Sequence, residues 1–217
     1  MGVPGWRPLH GEVELSSVDS AETLREMYGP VLERARLKTL RKLDQHCRNF
    51  IRLSPFLCLG TAGAGGADVT PRGDQPGFVH VLDDATLAIP DWPGNNRLDS
   101  LSNISANAQV GMLFLIPGVD ETLRVNGKAR IAAEPELLAG WNVNGRRPKS
   151  AIVVTVEEAF LHCGKALIRS RLWHEDSKID RRELPSYGQM LKDQIEVCDS
   201  AEEIQASVVA GYREKLY

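Results

Sequence analysis

The chain has 217 residues, of which 42% are hydrophobic and 25% are charged, and its formal net charge is −3. These values are typical of one globular domain with a substantial core, and they disfavour proteins that hold nucleic acid or anionic membranes through bulk positive charge. No apolar stretch reaches the roughly 18 residues that suggest a membrane span. The N-terminal residues show no signal-peptide pattern, so we expect a cytoplasmic protein without a nucleic-acid or membrane partner. The 4 cysteines lie far apart in the sequence, which predicts reduced thiols and no metal site.

The N-terminal part of the chain predicts an irregular arm followed by helices. Residues 1–19 are interrupted by proline and glycine, and Ser20 precedes an acidic first turn, which predicts a helix beginning at Ala21. The apolar spacing from Val31 to Phe50 predicts a single basic amphipathic helix. We expect this helix to pack on the rest of the domain or on a partner subunit. A membrane-surface or nucleic-acid role is the alternative, and the net charge argues against it.

Short apolar runs separated by turn-forming residues follow in the next part of the chain. We predict strands at Phe56–Thr61, Ala67–Thr70, Phe78–Leu82 and Ala85–Ile89. The glycine-rich stretch 62–66 lacks the lysine and the serine or threonine of a phosphate-binding P-loop, so we interpret it as a hairpin loop. Residues 71–77 have the composition of a second turn.

The second half of the chain mixes strands with short helices. A helix is predicted from Arg97 or Leu98 to Asn107, with Asn95 or Asn96 as its N-cap. Further strands are predicted at Val110–Ile116, Glu121–Ala133 and Ala151–Val156, and helical segments at Glu134–Gly140, Glu157–Cys163 and from Leu184 onward. Because many short strands follow one another without strand–helix alternation, we predict a mainly β fold, a closed or nearly closed β-barrel with helical additions.

Two polar turns, each with an arginine, have the chemistry of an anion site. Arg97 follows the turn Gly94–Asn96, whose backbone N–H groups and following helix would favour an anion. A cation at an ordinary helix start would oppose the helix dipole, which favours a ligand role for Arg97. Arg72 is the second candidate, although a turn arginine is often only solvated.

A series of motifs in one order gives a resemblance to a known family. The motifs are DVTPRGD (68–74), GFV (77–79), LAIPD (87–91), GNNRLDSL (94–101), NI (103–104), VG (110–111), FLIPG (114–118), ETLRVNG (121–127) and HCGKA (162–166). Together they resemble the pyridoxamine 5′-phosphate oxidase-like, FMN-binding split-barrel superfamily, and within it a bacterial branch of uncharacterised FMN-dependent enzymes. The resemblance covers Phe50 to Trp173. It implies a six-stranded split barrel over residues 50–175, an N-terminal arm with helices over 1–49, and a C-terminal helical extension over 176–217.

The resemblance also implies a homodimer with FMN in the clefts between subunits. The strand segment at 69–72 and the segment at 89–91 would line the ring and ribityl chain, and the turn at 95–97 would hold the phosphate. A second subunit would reach the flavin through the segment from Lys165 to Trp173. The implied cofactor-binding residues are Val69, Thr70, Pro71, Arg72, Ile89, Pro90, Asp91, Asn95, Asn96, Arg97, Thr122, Arg124, Lys165, Arg169 and Trp173. Arg124 fits equally well as part of the solvent-exposed face of a strand, and Asp91 as a turn-forming residue.

The chain departs from the family at several positions. Trp92 stands where relatives are expected to have a basic or polar residue, and Ala108 where they have proline. The substrate-phosphate residues of true pyridoxamine 5′-phosphate oxidases have no clear counterpart, so vitamin B6 oxidation is not expected.

The predicted function is an FMN-dependent oxidoreductase acting on an unidentified small molecule. No catalytic acid or base is named, because a flavin transfers hydride itself. The alternative is a flavin-, deazaflavin- or haem-binding protein with a storage, sensing or stress role. His80 and His162 are the candidate haem ligands in that case, with His80 expected to point outward from a strand.

Overall fold

A computed structural model describes residues 17–214 and 216–217. Its contacts divide the described residues into two compact units, with the boundary between Leu37 and Lys38. The first unit contains α1 (Ala21–Tyr28) and α2 (Glu33–Leu37). Ser20 begins α1 as predicted, because its hydroxyl oxygen accepts a hydrogen bond from the backbone N–H of Thr23. The predicted arm lies, as far as residue 16, outside the described residues, and the three-part domain division remains a prediction.

The second unit is built on one antiparallel sheet of seven strands in the order β2-β1-β5-β6-β7-β4-β3. The strands are β1 (Phe56–Gly63), β2 (Gly66–Gly73), β3 (His80–Val81), β4 (Thr86–Asp91), β5 (Gln109–Leu115), β6 (Thr122–Ala132) and β7 (Ser150–His162). The edge strands β2 and β3 each pair with one neighbour among the described strands, so the sheet is open between them. The predicted fold class, mainly β with helical additions, is confirmed. The strand count is seven instead of six because the structure has the two-residue β3 as a separate strand.

Six helices accompany the sheet within the described residues of this unit. They are α3 (Gln45–Leu53), α4 (Asp99–Ala106), α5 (Pro135–Leu138), α6 (Lys165–Ser170), α7 (Tyr187–Gln194) and α8 (Ala201–Glu214). Two 3₁₀ turns, Glu175–Ser177 and Arg181–Glu183, precede α7. The helical segment predicted beyond Leu184 is therefore present as two helices.

The larger of two buried hydrophobic clusters forms the core on the inner side of the sheet. It contains alternate residues of five strands, such as Leu57, Phe114 and Ile152, which are all fully buried. Ile51 of α3 and Ile104 of α4 close the core from outside the sheet. Burying each such side chain contributes about 1.5–3 kcal/mol. The opposite side of the strands, which we call the outer face, carries the other set of alternating residues.

The predicted helix from Val31 to Phe50 is wrong, because it is interrupted. The backbone N–H and C=O of Leu40 bond to Ala159 of β7, both at 2.9 Å, which takes this residue out of a helix. Asp44 then begins α3, since its carboxylate accepts a hydrogen bond of 2.8 Å from the backbone N–H of Cys47.

The helical turns predicted at Glu157–Cys163 are also wrong, because β7 runs without a break from Ser150 to His162. It pairs with β6 along its length, and the register shifts so that Asn126 faces Glu158 while Gly127 faces Val156. Glu157 is thus the extra residue of a β-bulge. Long-range pairing has overridden the local helical preference of the two glutamates.

Two strand boundaries near the predicted turns differ as well. β2 continues through Pro71 to Gly73, where a turn was predicted. Proline is tolerated because β2 is an edge strand, where no ladder bond to a second neighbour is needed. The predicted strand Phe78–Leu82 shrinks to His80–Val81, while Phe78 and Val79 are buried.

Candidate functional site

An open cleft of about 460 Å³ lies where β2, β4 and the beginning of α4 meet. Three segments line it: the inward-facing residues Thr70 and Arg72 of β2, the stretch from Asp91 to Leu101, and Lys149. Its size falls within the range of about 300–1,000 Å³ that is usual for small-molecule sites. Of the residues implied by the family resemblance, Thr70, Arg72, Asp91, Asn95, Asn96 and Arg97 come together here.

The β2 wall of the cleft is organised by strand alternation. Arg72 pairs in register with the core residue Leu57, so its side chain lies on the inner side of the sheet and is only 19% exposed. One guanidinium nitrogen, Nη1, donates to Oδ1 of Asp91 at 2.6 Å. The Nε atom of Arg72 is buried and has no hydrogen-bond partner within the described residues. A buried donor without an acceptor is costly, so this atom is suited to an acceptor on a ligand.

A hydrogen bond ties the same strand to the helix beside the cleft. The hydroxyl groups of Thr70 and Ser100 lie 2.8 Å apart, and Ser100 is buried in the first turn of α4. This contact holds the beginning of α4 against β2 and thereby sets the width of the cleft.

The loop before α4 differs from its prediction. The side-chain oxygen of Asn95 accepts a hydrogen bond of 3.1 Å from the backbone N–H of Arg97, and Asn96 and Leu98 both have a φ of 60°. Because Asn96 and Leu98 have left-handed backbone conformations, the helix does not begin before Asp99, and no asparagine is its N-cap. The predicted N-cap role of Asn95 and Asn96 is therefore wrong, although both residues line the cleft.

The charges of the cleft are largely paired. Nε of Arg97 lies 2.8 Å from Oδ2 of Asp99 in an exposed ion pair, and this bond raises the pKa of the Arg97 guanidinium. Lys149, which the sequence analysis missed, is a third cation in the lining. The sequence alone does not place Lys149 near the cleft. The pairing of β4 with β7 does, because Ser150 faces Asp91 in the sheet and brings the preceding lysine to the cleft.

Trp92 forms an aromatic wall of the cleft and is held by two residues that the sequence analysis did not identify. Its indole N–H donates to Oδ2 of Asp74 at 3.2 Å, and the hydroxyl of Tyr217 donates to Oδ1 of the same carboxylate at 2.8 Å. The rings of Trp92 and Tyr217 meet edge to face, with centroids 5.0 Å apart. The bond to the Asp74 carboxylate raises the pKa of Tyr217. Arg146 donates to the backbone carbonyl of Tyr217 at 2.6 Å, which secures the tyrosine in this position.

Several predicted cofactor-binding residues lie elsewhere. Ile89 and Pro90 are buried in β4, where Ile89 belongs to the core, and neither residue lines the cleft. Val69 and Pro71 point to the outer face, between the inward-facing residues of β2. Trp173 donates its indole N–H to the carbonyl of Val119 at 2.9 Å. Lys165 and Arg169 are exposed on α6.

Arg124 belongs to a second cluster, on the outer face of β6 and β7. Its guanidinium carbon lies 4.7 Å from the ring centroid of Phe160, and Nη2 lies 3.5 Å from Oε1 of Glu158. Lys38 approaches the same ring at 5.2 Å. The Nε atom of Arg124, like that of Arg72, is buried and without a partner among the described residues. Thr122, another residue implied to bind the cofactor, is buried next to this cluster, where it pairs with His162 in the sheet.

The two candidate haem ligands occupy different environments. His162 lies on the outer face beside Phe160, and its pKa is lowered by burial and by the charges of Arg124 and Lys38. His80 stacks on the Trp141 ring at a centroid distance of 4.2 Å, and burial lowers its pKa. Within residues 17–214 and 216–217, no group of three or more histidine, cysteine or acidic side chains is placed to hold a metal ion. No helix in the same part of the chain is long and apolar enough to cross a membrane.

Solved structures with similar folds share little sequence with this chain. HupZ of Group A Streptococcus is 19% identical, with a TM-score of 0.44 over 55% of this chain and 93% of that protein. A Clostridium acetobutylicum protein related to general stress protein 26, of the pyridoxinephosphate oxidase family, is 12% identical, with a TM-score of 0.42 over 54% of this chain and 85% of its own. An FMN-binding protein of Syntrophomonas wolfei is 11% identical, with a TM-score of 0.41 over 65% of this chain and 96% of that one.

Among curated protein sequences the comparison finds no match. The pyridoxamine 5′-phosphate oxidase family, by contrast, matches residues 43–163, more than half of the chain. The match begins at Leu43, just before α3, and ends at Cys163, directly after β7, so it spans every strand of the sheet. The chain belongs to the pyridoxamine 5′-phosphate oxidase family.

Proposed function

We propose that the cleft binds FMN and that the protein is an FMN-dependent oxidoreductase acting on a small organic molecule. The observation that carries the proposal is Arg72, whose buried Nε has no hydrogen-bond partner in the described residues and which lines a cleft of suitable size. Family membership supports the choice of a flavin.

The donor set of the cleft fits the parts of FMN. A phosphate group carries about −1.5 to −2 charges and accepts several hydrogen bonds, which suits a cleft lined by three cations, Arg72, Arg97 and Lys149. The indole of Trp92 offers a flat apolar surface for a planar ring system. The hydroxyl of Thr70 and the carboxylate of Asp91 are suited to hydrogen bonds with the ribityl hydroxyls and the ring edge.

We further propose that two copies associate through their outer faces. The residues implied for one flavin lie on both sides of the sheet, with Arg72 on the inner side and Val69 and Arg124 on the outer face. One copy therefore cannot present both sets to one ligand. A second copy can, if its outer face covers the cleft of the first.

A bound flavin would supply the electron or hydride transfer, as cofactors do in this chemistry. The chain's own residues would bind it, orient it and limit the access of water to one side. No side chain of the cleft is assigned as an acid or base, and the physiological substrate is not specified by these contacts.

The test is the identity and affinity of the bound cofactor. We expect the purified protein to be yellow, to release FMN on denaturation, and to bind added FMN. Arg72→Lys should weaken FMN binding by about tenfold or more, because lysine lacks the Nε donor and the planar fork of arginine. Titration followed by flavin fluorescence measures this affinity.

Arg182→Ala is the matched control, since Arg182 is an exposed arginine that pairs with Asp180 in a 3₁₀ turn, outside the sheet and the lining of the cleft. Its affinity should equal that of the wild type, and circular dichroism should show both variants folded. A wild-type protein that fails to bind FMN, or that carries a haem Soret band, would overturn the proposal.

A further inference from the structure

The cleft contains three cations and two carboxylates, and two of the cations are already paired. Arg72 contacts Asp91 at 2.6 Å, and Arg97 contacts Asp99 at 2.8 Å. Lys149 has no ion-pair partner within 4.0 Å in the part of the chain that the structure describes. The charge that the cleft can offer to an anion is therefore concentrated at this lysine.

The paired arginines are less available to a phosphate group. The carboxylate of Asp99 lies two positions from Arg97 and would repel an anion that approached the same guanidinium. The Arg72 pair is only 19% and 15% exposed, so the Asp91 carboxylate stays beside the guanidinium and opposes a phosphate, while the unpartnered Nε suits a neutral acceptor of the ribityl chain or ring. Lys149, by contrast, is exposed and need not give up a partner, and an ammonium group is a common phosphate ligand that acts as a point charge.

Sheet register explains why this residue reaches the cleft. Ser150 is the first residue of β7 and faces Asp91, the last residue of β4. Lys149 is consequently anchored by the sheet beside the Asp91–Trp92 corner, and only its side chain must move to contact a ligand. A lysine on the remote part of the loop before β7 would not have this constraint.

We infer that Lys149 is the phosphate-recognition residue of the cleft, through which the protein prefers phosphorylated FMN over riboflavin. The inference rests on the proposed function, and it assigns the discrimination to Lys149 in place of Arg97. The ammonium group attracts the terminal phosphate, while the remaining contacts with the ring and the ribityl chain are shared by both ligands.

The experiment compares dissociation constants of FMN and riboflavin for the wild type, Lys149→Ala and Lys149→Arg. We expect Lys149→Ala to weaken FMN binding by about tenfold and to change riboflavin binding by less than about twofold, because only FMN carries the phosphate. Lys149→Arg should retain most of the preference. The FMN affinity of the wild type should also fall with added salt, and that dependence should be weaker in Lys149→Ala.

Lys178→Ala serves as the control, since Lys178 is another exposed lysine and pairs with Glu175 outside the cleft. Equal loss of FMN and riboflavin affinity in Lys149→Ala, or no loss of either, would overturn the inference. So would an Arg97→Ala variant that alone abolishes the preference for FMN. A wild type that binds neither flavin would instead refute the proposed function, so the two failures can be told apart.

Discussion

Arg72 and Asp91 form the least exposed ion pair among the described residues. Such a pair contributes little net stability, because the loss of hydration offsets much of the attraction between the charges. Its effect is on orientation: the contact uses Nη1 and leaves the buried Nε without an acceptor among the described residues. The pair thus holds the guanidinium plane ready for a ligand.

His80 predicts a pH dependence of stability. Burial against the Trp141 ring lowers its pKa below the ordinary value of 6.5, so the folded state favours the neutral imidazole. Above pH 6.5 the histidine is neutral in both states, so it does not change the free energy of unfolding. As the pH falls towards the folded-state pKa, the unfolded chain binds a proton that the folded chain does not, which favours unfolding. The free energy of unfolding should therefore decrease between pH 7.5 and pH 5, as measured by urea denaturation.

Replacing the histidine tests its share of this decrease. His80→Phe keeps a ring to stack on Trp141 and removes the titrating group, so stability should fall less over the same pH interval. His174→Phe, at an exposed position, should leave the decrease unchanged. An equal decrease in the wild type and in His80→Phe would contradict the assignment.

The cleft residues differ in how far the sequence could reveal them. Arg72 and Asp91 could be predicted because each belongs to a motif that carries the family resemblance. The contact of Asp74 with Tyr217 could not, since it joins residues 143 positions apart and neither type is unusual in a polar loop or chain end. Lys149 was missed for a similar reason: only the pairing of β4 with β7 brings it to the site.

At the level of elements, β6 and β7 show where local pattern and long-range pairing conflict. The Glu157-Glu158 pair favours a helix by propensity, yet β7 continues through it because β6 pairs with β7 on both sides of the bulged Glu157, as far as His162. β5, which is apolar from Val110 to Leu115, was predicted to within one residue at each end. A strand with a clear apolar pattern of its own, such as β5, can be predicted from the sequence. A strand that forms because a neighbouring strand pairs with it, such as the second half of β7, cannot.

The bulge between β6 and β7 depends on Gly127. A Cβ atom added there would lie 2.1 Å from the carbonyl oxygen of Thr155, which is backbone and cannot move aside cheaply. Gly127→Ala should therefore destabilise the protein by about 1–3 kcal/mol, the usual cost of overpacking a tight site. Chemical denaturation followed by tryptophan fluorescence measures the change.

Gly65→Ala provides the comparison, because a Cβ at that hairpin position meets nothing within 4 Å and no positive φ is required. It should change stability by less than about 0.5 kcal/mol, as most exposed substitutions do. Equal stability of the two variants would mean that β6 and β7 can separate at the bulge without loss.

At the scale of the whole molecule, the core covers the inner face of the sheet. The outer face is covered only in part, where Ala88, Ala151 and Val153 cluster with Leu138 and Trp141. One row of paired residues crosses the outer face from β2 to β7: Pro71, Cys58, Leu113, Arg124 and Phe160. The next outward-facing pair on β1 and β5 is Gly60 with Gly111. Val69, beside that pair, is 67% exposed. A partly apolar surface of this kind is suited to contact with another protein surface.

The proposed dimer makes a prediction about this face. Val69→Lys places a charge beside the glycine pair, and in an interface that charge would be buried without a partner. The variant should remain folded, since the residue is largely exposed in one copy, but it should shift from dimer to monomer in light scattering after size-exclusion chromatography.

FMN binding should weaken in the same variant if the outer face of one copy completes the cleft of the other. Ile195→Lys, an exposed apolar residue just after α7, is the control and should change neither mass nor affinity. A Val69→Lys protein that remains dimeric would place the interface elsewhere. One that is monomeric but binds FMN as the wild type does would show that Arg72 and its neighbours form a complete site within a single chain, so that the outer-face residues have no part in holding the cofactor.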